Sequence, residues 1–467
     1  MTKPRHLLLG TNGAAKPVRF LVVPTGQVIS NIVPLFELVR PGDSILWLAT
    51  PEANAKGWLA RSRAAVALRF PAVQQEDLTD LPETLDAWGE RQERFRELCA
   101  VPQLVFVVNG GTKPLLLALA AALAAVGHAT CPVAYTSMRP PGLILQPGGY
   151  TGPTLRVGYG ADTCIGLEEV LIAANYCQMK GTRGRRVWSA RDRVALPKPG
   201  AYGTDPEATF DLHRAAWAHH GRSRLVAGGI DSFAGSRFDA GAKATMRGAV
   251  RAYTASPQDD AALAILFNTF RKRGIAAEQA SRSVMEGVAE GAALEQVHEL
   301  PECLEAAVAQ RAVALVANAP ELSSRVAEIW RNVTVATADD PSRLRAEFDL
   351  LILLRHGVAL HLDSKSALVQ FDEKKKDFAK DMDARIHNLR QASSRVAKLM
   401  ICMPAYTAAA GEDWMSRLAQ DWQQKVSGRY ESMFFTLPNQ QTEMELDGET
   451  IVIESFETTL GRVILTN

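Results

Sequence analysis

Glu347-Phe348-Asp349-Leu350-Leu351-Ile352-Leu353-Leu354, then Arg355-His356-Gly357, then Val358 through Lys365 is the stretch from which the rest of the chain can be read. Phe348, Leu350, Ile352 and Leu354 are apolar, and so are Val358, Leu360 and Leu362. Strand side chains alternate between faces. Both apolar sets share one buried face only when paired positions sum to an even number, which needs a loop of odd length. Arg355 to Gly357, with glycine at its end, is such a loop. Asp349 then lies opposite Asp363 and Glu347 opposite Lys365, all four on one face. Directly opposed Cβ atoms are roughly 5 Å apart, close enough for two aspartates to share one divalent cation.

Without a cation, two carboxylates that close repel each other. Mg²⁺ or Mn²⁺ relieves the repulsion, polarises a phosphoryl oxygen and lowers the pKa of a bound water. Lys365 shares the face and is placed to stabilise negative charge in a transition state or to orient the attacking water. Glu347, Asp349, Asp363 and Lys365 are therefore the catalytic candidates. The same spacing also suits a solvated polar face on an amphipathic hairpin, because short acidic motifs recur by chance.

Outward from the hairpin, a helix is expected over Leu304–Leu315 and strands over Val333–Ala336 and Phe348–Leu354. A charged helix from Phe371 to about Ala392 and a strand at Lys398–Cys402 follow. The tail from Met444 to Leu465 reads as β, with Asp447-Gly448 as a hairpin turn. This C-terminal third is an α/β domain. The first 170 residues alternate strand and helix patterns, with strands at Phe20–Val23, Ser44–Ala49 and Leu104–Val108. Helices are expected after Gly26, where Pro34 should shorten or kink the helix, over Ala53–Val66, and from Pro114. Such alternation means a mostly parallel sheet covered by helices, a Rossmann-like domain. Lys180–Lys198 carries seven basic residues against one acid and reads as a linker or exposed loop. Residues 206–300 read as helical, with Ala262–Arg273 and Ala277–Ala292 the clearest tracts. The expected division is 1–175, 176–300 and 301–467.

Among 467 residues, 52 basic side chains against 51 acidic leave a formal charge of +1. That balance excludes a histone-like mode of nucleic-acid binding, so any phosphate contact must come from local patches. Six cysteines with no C-x-x-C pair argue against a zinc ribbon or a disulfide framework and point to a reducing cytoplasm. No apolar signal core follows the basic residues of Met1–Arg5. Leu115–Val126 is about twelve residues long where a membrane span needs roughly 20, so no membrane association is expected.

Asn109-Gly110-Gly111-Thr112-Lys113-Pro114 follows a buried strand and opens a helix. Proline suits the first helical turn, and glycines let backbone N–H groups approach an anion at the positive helix end. It is neither a Walker A loop nor G-x-G-x-x-G, so a nicotinamide site is not supported. A tight strand-to-helix turn with no ligand fits the same residues.

Asp349, then Asp363-Ser364-Lys365, resembles the PD-(D/E)xK nuclease motif. Those folds commonly add a glutamate from a preceding helix, matched here by Glu305, although the tryptophan often seen before that Leu-Glu pair is Cys303. The resemblance implies metal ligation by Glu305, Asp349, Asp363 and Ser364, and a nucleic-acid contact by the helix carrying Lys374, Lys375 and Lys376. Val107 through Pro114 resembles the signature loop of the CRISPR-associated Rossmann fold (CARF) domain. Thr25-Gly26-Gln27, with Ile29 through Pro34, resembles its first loop and helix.

The whole chain is thus similar to the cyclic-oligoadenylate-activated CRISPR ancillary nucleases, which join an N-terminal CARF domain to a C-terminal PD-(D/E)xK domain. The resemblance covers roughly residues 18–175 and 300–405. The helical middle has no counterpart in it, and Asp363 stands where close relatives more usually carry glutamate. It implies a homodimer of type III CRISPR antiviral defence that binds cyclic tetra-adenylate across its two-fold axis. Thr25, Gln27 and Asn31 would contact ribose or base edges, beside Gly26. Asn109, Gly110, Gly111, Thr112 and Lys113 would serve phosphate and ribose. The substrate would be DNA or RNA and the metal Mn²⁺ or Mg²⁺. A non-catalytic sensor that controls a partner, and an enzyme that degrades the cyclic ligand itself, are the competing readings.

Overall fold

In a computed structural model, residues 4–138, 140–182, 184–192, 264, 268, 300–364, 375–393, 397–404, 431–435, 441–446 and 449–467 are described. The N-terminal part comprises α1 (Pro4–Ala14), β1 (Arg19–Val22), α2 (Val28–Leu38), β2 (Ser44–Leu48), α3 (Pro51–Ala55), α4 (Trp58–Arg69) and β3 (Gln74–Leu78). It continues through α5 (Arg91–Cys99), β4 (Leu104–Val107), α6 (Lys113–Ala125), β5 (Val133–Met138), β6 (Pro141–Gln146) and β7 (Leu155–Val157). Its sheet has the order β3-β2-β1-β4-β5-β6-β7, parallel through β5 and antiparallel beyond. Because β1 pairs β2 on one side and β4 on the other, the strand order reverses there. In such sheets the crevice that takes ligands lies outside the carboxyl ends of the strands at that point, where the loops leaving β1 and β4 lie side by side.

The apolar runs explain why these strands are central. Phe20 and Val22 enter one core while Leu21 and Val23 enter another. Val105 and Val107 likewise separate from Leu104 and Phe106. A strand buried on both faces needs such a continuous run. Two helices depart from expectation. The single helix foreseen over Ala53–Val66 is two, α3 and α4, because Gly57 takes φ +68° between them. α2 runs unbroken through Pro34, whose missing N–H costs one hydrogen bond in a helix that is buried over almost its whole length.

The second sheet takes in α7 (Leu167–Ala173), β8 (Tyr176–Gln178), β9 (Arg185–Ser189), α8 (Leu300–Asn318), α9 (Pro320–Ser323), β10 (Val326–Thr337), β11 (Ala346–Leu354) and β12 (Ala359–Ser364). It is completed by α10 (Lys375–Ala392), β13 (Lys398–Pro404) and β14 (Glu431–Phe435). The strand order is β14-β13-β12-β11-β10-β8, with β9 also on β10. β10, β11 and β12 are antiparallel neighbours, while β13 and β14 join in parallel. Buried side chains of α2, α4 and α7 form one continuous core with those of α8 and β10 to β12.

The basic stretch expected as a linker is a strand over Arg185–Ser189. Val187, Trp188 and Ser189 are buried, and Arg186 pairs with Glu328 at 3.2 Å and lies over the Trp330 ring. At the C-terminus β15 (Thr442–Leu446) and β16 (Glu449–Ile453) pair as foreseen, but the chain then turns into α11 (Phe456–Thr466) rather than continuing as β. Ser455 caps that helix by accepting from Thr458 N, and Phe456, Leu460, Val463 and Ile464 bury one helical face. Apart from residues 264 and 268, which are helical, the expected tracts at 262–273 and 277–292 lie outside the described residues, as does the turn 447–448. Among the described residues no helix is long and apolar enough to cross a membrane.

Candidate metal centre and ligand crevice

The hairpin register follows the parity of its apolar residues. Leu350 pairs Leu362, Leu351 pairs His361, Ile352 pairs Leu360 and Leu353 pairs Ala359. Leu354 N donates to Val358 O and Gly357 N to Leu354 O, both at 2.8 Å, closing the loop over Arg355–Gly357. Gly357 takes φ +87°, the left-handed conformation expected at the end of such a loop. At the other end of the ladder Ser364 N donates to Asp349 Oδ2 at 2.9 Å. Asp349 and Asp363 are thereby brought together.

Asp363 is fully buried and its Oδ1 accepts from Arg385 of α10 at 3.0 Å. The Asp349 carboxyl is pushed up to about 8 by burial first, then by the negative charges of Asp363 and Glu305. Glu305 of α8 thus belongs to the electrostatic surroundings of Asp349. A third donor, His361, joins them: one ligand atom each of Asp349, His361 and Asp363 lie within 4.8 Å of one another. His361 is fully buried, its Nε2 accepts from Asp349 N at 3.3 Å, and its ring stands edge-on to Phe348 at 5.0 Å. Ser364 turns its side chain to the opposite face and meets Asp349 through its backbone. Glu347 is exposed at the open end of β11. Lys365 and Lys374 lie outside the described residues, as do the side chains of Lys375 and Lys376.

Two converging carboxylates and an imidazole fit a divalent cation, because a cation relieves the repulsion that raises Asp349. Hard oxygen donors suit Mg²⁺ and Mn²⁺, and the imidazole moves the set toward transition ions. His361 escapes a search for acids and lysines alone, yet its odd number places it on the face of Asp349 and Asp363.

At the N-terminal crevice, Thr25 Oγ1 accepts from Asn31 Nδ2 at 3.1 Å and from Gln27 N at 3.4 Å, tying the β1 loop to α2. A Cβ on Gly110 would collide with the Thr25 side chain, so the loops after β1 and β4 touch. Gly111 takes φ +102°, and Thr112 caps α6 by accepting from Leu115 N at 3.4 Å. Asn109 spends both ends of its amide on Thr136 of β5, donating to its carbonyl at 3.1 Å and accepting from its N–H at 2.8 Å. Its place is to hold the loop. Gly26, Gln27, Gly111, Thr112 and Lys113 are exposed along the crevice, while Asn31 is buried with Oδ1 lacking a hydrogen-bond partner among the described residues.

No family model and no curated protein matches the chain. Among solved structures, Can2 from Sulfobacillus thermosulfidooxidans in complex with cyclic tetra-adenylate is similar at TM-score 0.49 and 13% identity, over 89% of this chain and 92% of that one. Protein VC1899 from Vibrio cholerae is similar at TM-score 0.46 and 12% identity, over 89% of this chain and 94% of that one.

Proposed function

We propose that this chain is a metal-dependent endonuclease that cleaves DNA or RNA phosphodiester bonds in type III CRISPR defence. Its activator is a cyclic oligoadenylate of the tetra-adenylate type, bound at the crevice between the loops after β1 and β4. The observation that carries this reading is the convergence of Asp349, His361 and Asp363, whose ligand atoms lie within 4.8 Å of one another, with Asp349 raised by burial and by the charge of Asp363. Asp349, Asp363 and His361 would hold that cation, with Glu305 adding negative charge. When bound, Mn²⁺ or Mg²⁺ supplies Lewis-acid stabilisation of phosphoryl charge and a more acidic water. Lys365 follows the second aspartate and neutralises developing charge, while burial of Asp363 and its bond to Arg385 hold that carboxylate in place.

The crevice supports the sensing half of the proposal. It lies where the strand order reverses, with glycines that let backbone approach a ligand and the Lys113 ammonium at the start of α6 to meet an anion. α6 supports a homodimer. One face enters the core through Leu115, Ala118, Leu119, Ala122 and Leu123, yet the opposite face is also apolar and leaves Leu117 71% exposed. Incubating purified protein with plasmid, single-stranded DNA and RNA, with and without cyclic tetra-adenylate and Mn²⁺, tests the reading. Cleavage that needs both additions is expected. Activator binding with no cleavage of any substrate would leave a non-catalytic sensor.

A further inference from the structure

The turn of the acidic hairpin is pressed into the first turn of the helix that leaves the crevice. A Cβ built on Gly357 would collide with Cγ2 of Ile29, and Ile165 Cγ2 lies 3.7 Å from the same point. Ile29 and Ile165 are buried, at 7% and 1% exposure. Ile29 is the second residue of α2, between Thr25 and Asn31, which are hydrogen-bonded to each other. The contact therefore lies inside the helical turn that the crevice loop anchors. A positive φ alone would accept asparagine, but the approach of Ile29 leaves room for no side chain.

On either side of Gly357 the turn is fastened as well. Arg355 donates to Ser323 O at 2.6 Å, Tyr159 O at 2.8 Å and Val326 O at 3.1 Å. His356 stacks on Tyr159 with ring centroids 6.1 Å apart. From this turn β11 and β12 run back and forward to Asp349 and Asp363, about 20 Å at roughly 3.3 Å per residue. Packed, hydrogen-bonded ladders have low compressibility and transmit a displacement.

We infer that Ile29 and Gly357 are positioning residues for the cleavage proposed above: a shift of α2 imposed by an anionic ligand at Thr25–Gln27 passes through their contact into the β11–β12 ladder and sets the separation of Asp349 and Asp363. This inference rests on the ligand-activated reading. Two sites joined in this way are coupled, and the coupling is reciprocal. Mn²⁺ must then change the affinity for cyclic tetra-adenylate.

The test is calorimetric titration of the full chain with cyclic tetra-adenylate, with and without Mn²⁺. Ile29→Val keeps the β-branched methyl that meets Gly357. Ile29→Leu keeps the volume but moves the branch outward, a swap that cores usually tolerate. Wild type and Ile29→Val are expected to change affinity with Mn²⁺ by at least about fivefold, the low end of common couplings. Ile29→Leu is expected to show a change of less than about twofold on that same scale. A purely structural role would rank the variants by volume and reverse that order. Retained coupling in Ile29→Leu overturns the inference, as does wild-type binding that ignores Mn²⁺. Hydrogen exchange in wild type gives a measurement free of variants: ligand must alter protection in 350–354 and 358–362, and unchanged protection there also overturns it. Failure of wild type to bind cyclic tetra-adenylate at all overturns the ligand-activated reading instead.

Discussion

Ser364 donates its backbone N–H to Oδ2 of Asp349 at 2.9 Å, and this single bond fixes Asp363, the residue before it, across the ladder from Asp349. One ligand atom of each carboxylate then lies within 4.8 Å of the other and of His361. The register thus sets the charge of Asp363 beside Asp349, Arg385 offsets part of it, and a divalent cation between the two carboxylates would offset the rest.

Removing either carboxylate should abolish cleavage while the fold persists. A metal supplies several kcal/mol of transition-state stabilisation, so Asp349→Asn or Asp363→Asn is expected to slow cleavage by about three orders of magnitude or more. EDTA should stop the wild-type reaction, with Mn²⁺ or Mg²⁺ restoring it. Full activity in Asp363→Asn would remove the metal-site assignment.

His361 should matter for cation affinity whether its ring binds the ion or only steadies Asp349. Losing a ligand or an outer-shell partner costs about 10–100-fold in metal affinity. Titrating Mn²⁺ into cation-free wild type and His361→Asn measures this directly. The loss should be greater for Mn²⁺ than for Mg²⁺, because imidazole favours transition ions. Equal affinities in the two proteins would place His361 in the core and nowhere else.

The hairpin was legible because alternation leaves few choices: Phe348, Leu350, Ile352 and Leu354 had to share a face with Val358, Leu360 and Leu362, and only an odd loop permits that. The crevice was legible as two separate loops but not as one place. Bringing Thr25 against Gly110 depends on β4 returning beside β1, a property of strand order that no local pattern carries. β9 was hidden because its arginines signal a loop, whereas Arg186 is satisfied by Glu328 and Trp330 from a strand more than a hundred residues away. α11 was hidden because Ile451, Val452 and Ile453 set a β pattern that Ser455 ends by capping a helix.

Glu37 on α2 should make stability depend on pH. It is 8% exposed, both carboxylate oxygens accept from Gly160 N at 3.1 Å, and burial pushes it from 4.5 up to about 7 against the opposing effects of Thr163, Gly160, Arg355 and Arg69. The native state then holds this proton more tightly than the unfolded chain does. Stability attributable to Glu37 is present below pH 4.5, falls as pH rises from 4.5 to about 7, and is flat above. Glu37→Gln should remove that slope and be the more stable protein at pH 8, by about 1–3 kcal/mol. Urea midpoints measured across the window decide it; parallel curves for the two proteins would contradict the assignment.

Gly110→Ala should weaken the activator without touching the cation. The new methyl meets the Thr25 side chain and forces the two crevice loops apart. Affinity for cyclic tetra-adenylate should fall by about tenfold or more, the equivalent of roughly 1.4 kcal/mol. Mn²⁺ affinity measured without activator should stay at the wild-type value. A variant that binds activator normally would show that the loops do not form one site.

Lys113 opens α6 beside Gly111, and the helix end it occupies is poor in free donors. Pro114 has no N–H, and the N–H of Leu115 is already taken by Thr112 Oγ1. An anion held there therefore depends on the Lys113 ammonium more than on the backbone. Lys113→Ala should move the activation midpoint to higher activator concentration by about 10–100-fold, the range of a lost charge-assisted hydrogen bond. At saturating activator the cleavage rate should recover, since Asp349 and Asp363 are untouched and the substitution only changes how much ligand fills the site. The competing role for an exposed loop lysine is to neutralise a nearby surface carboxylate. Titrating activator against cleavage rate separates the two, because that role leaves the midpoint where it is in wild type.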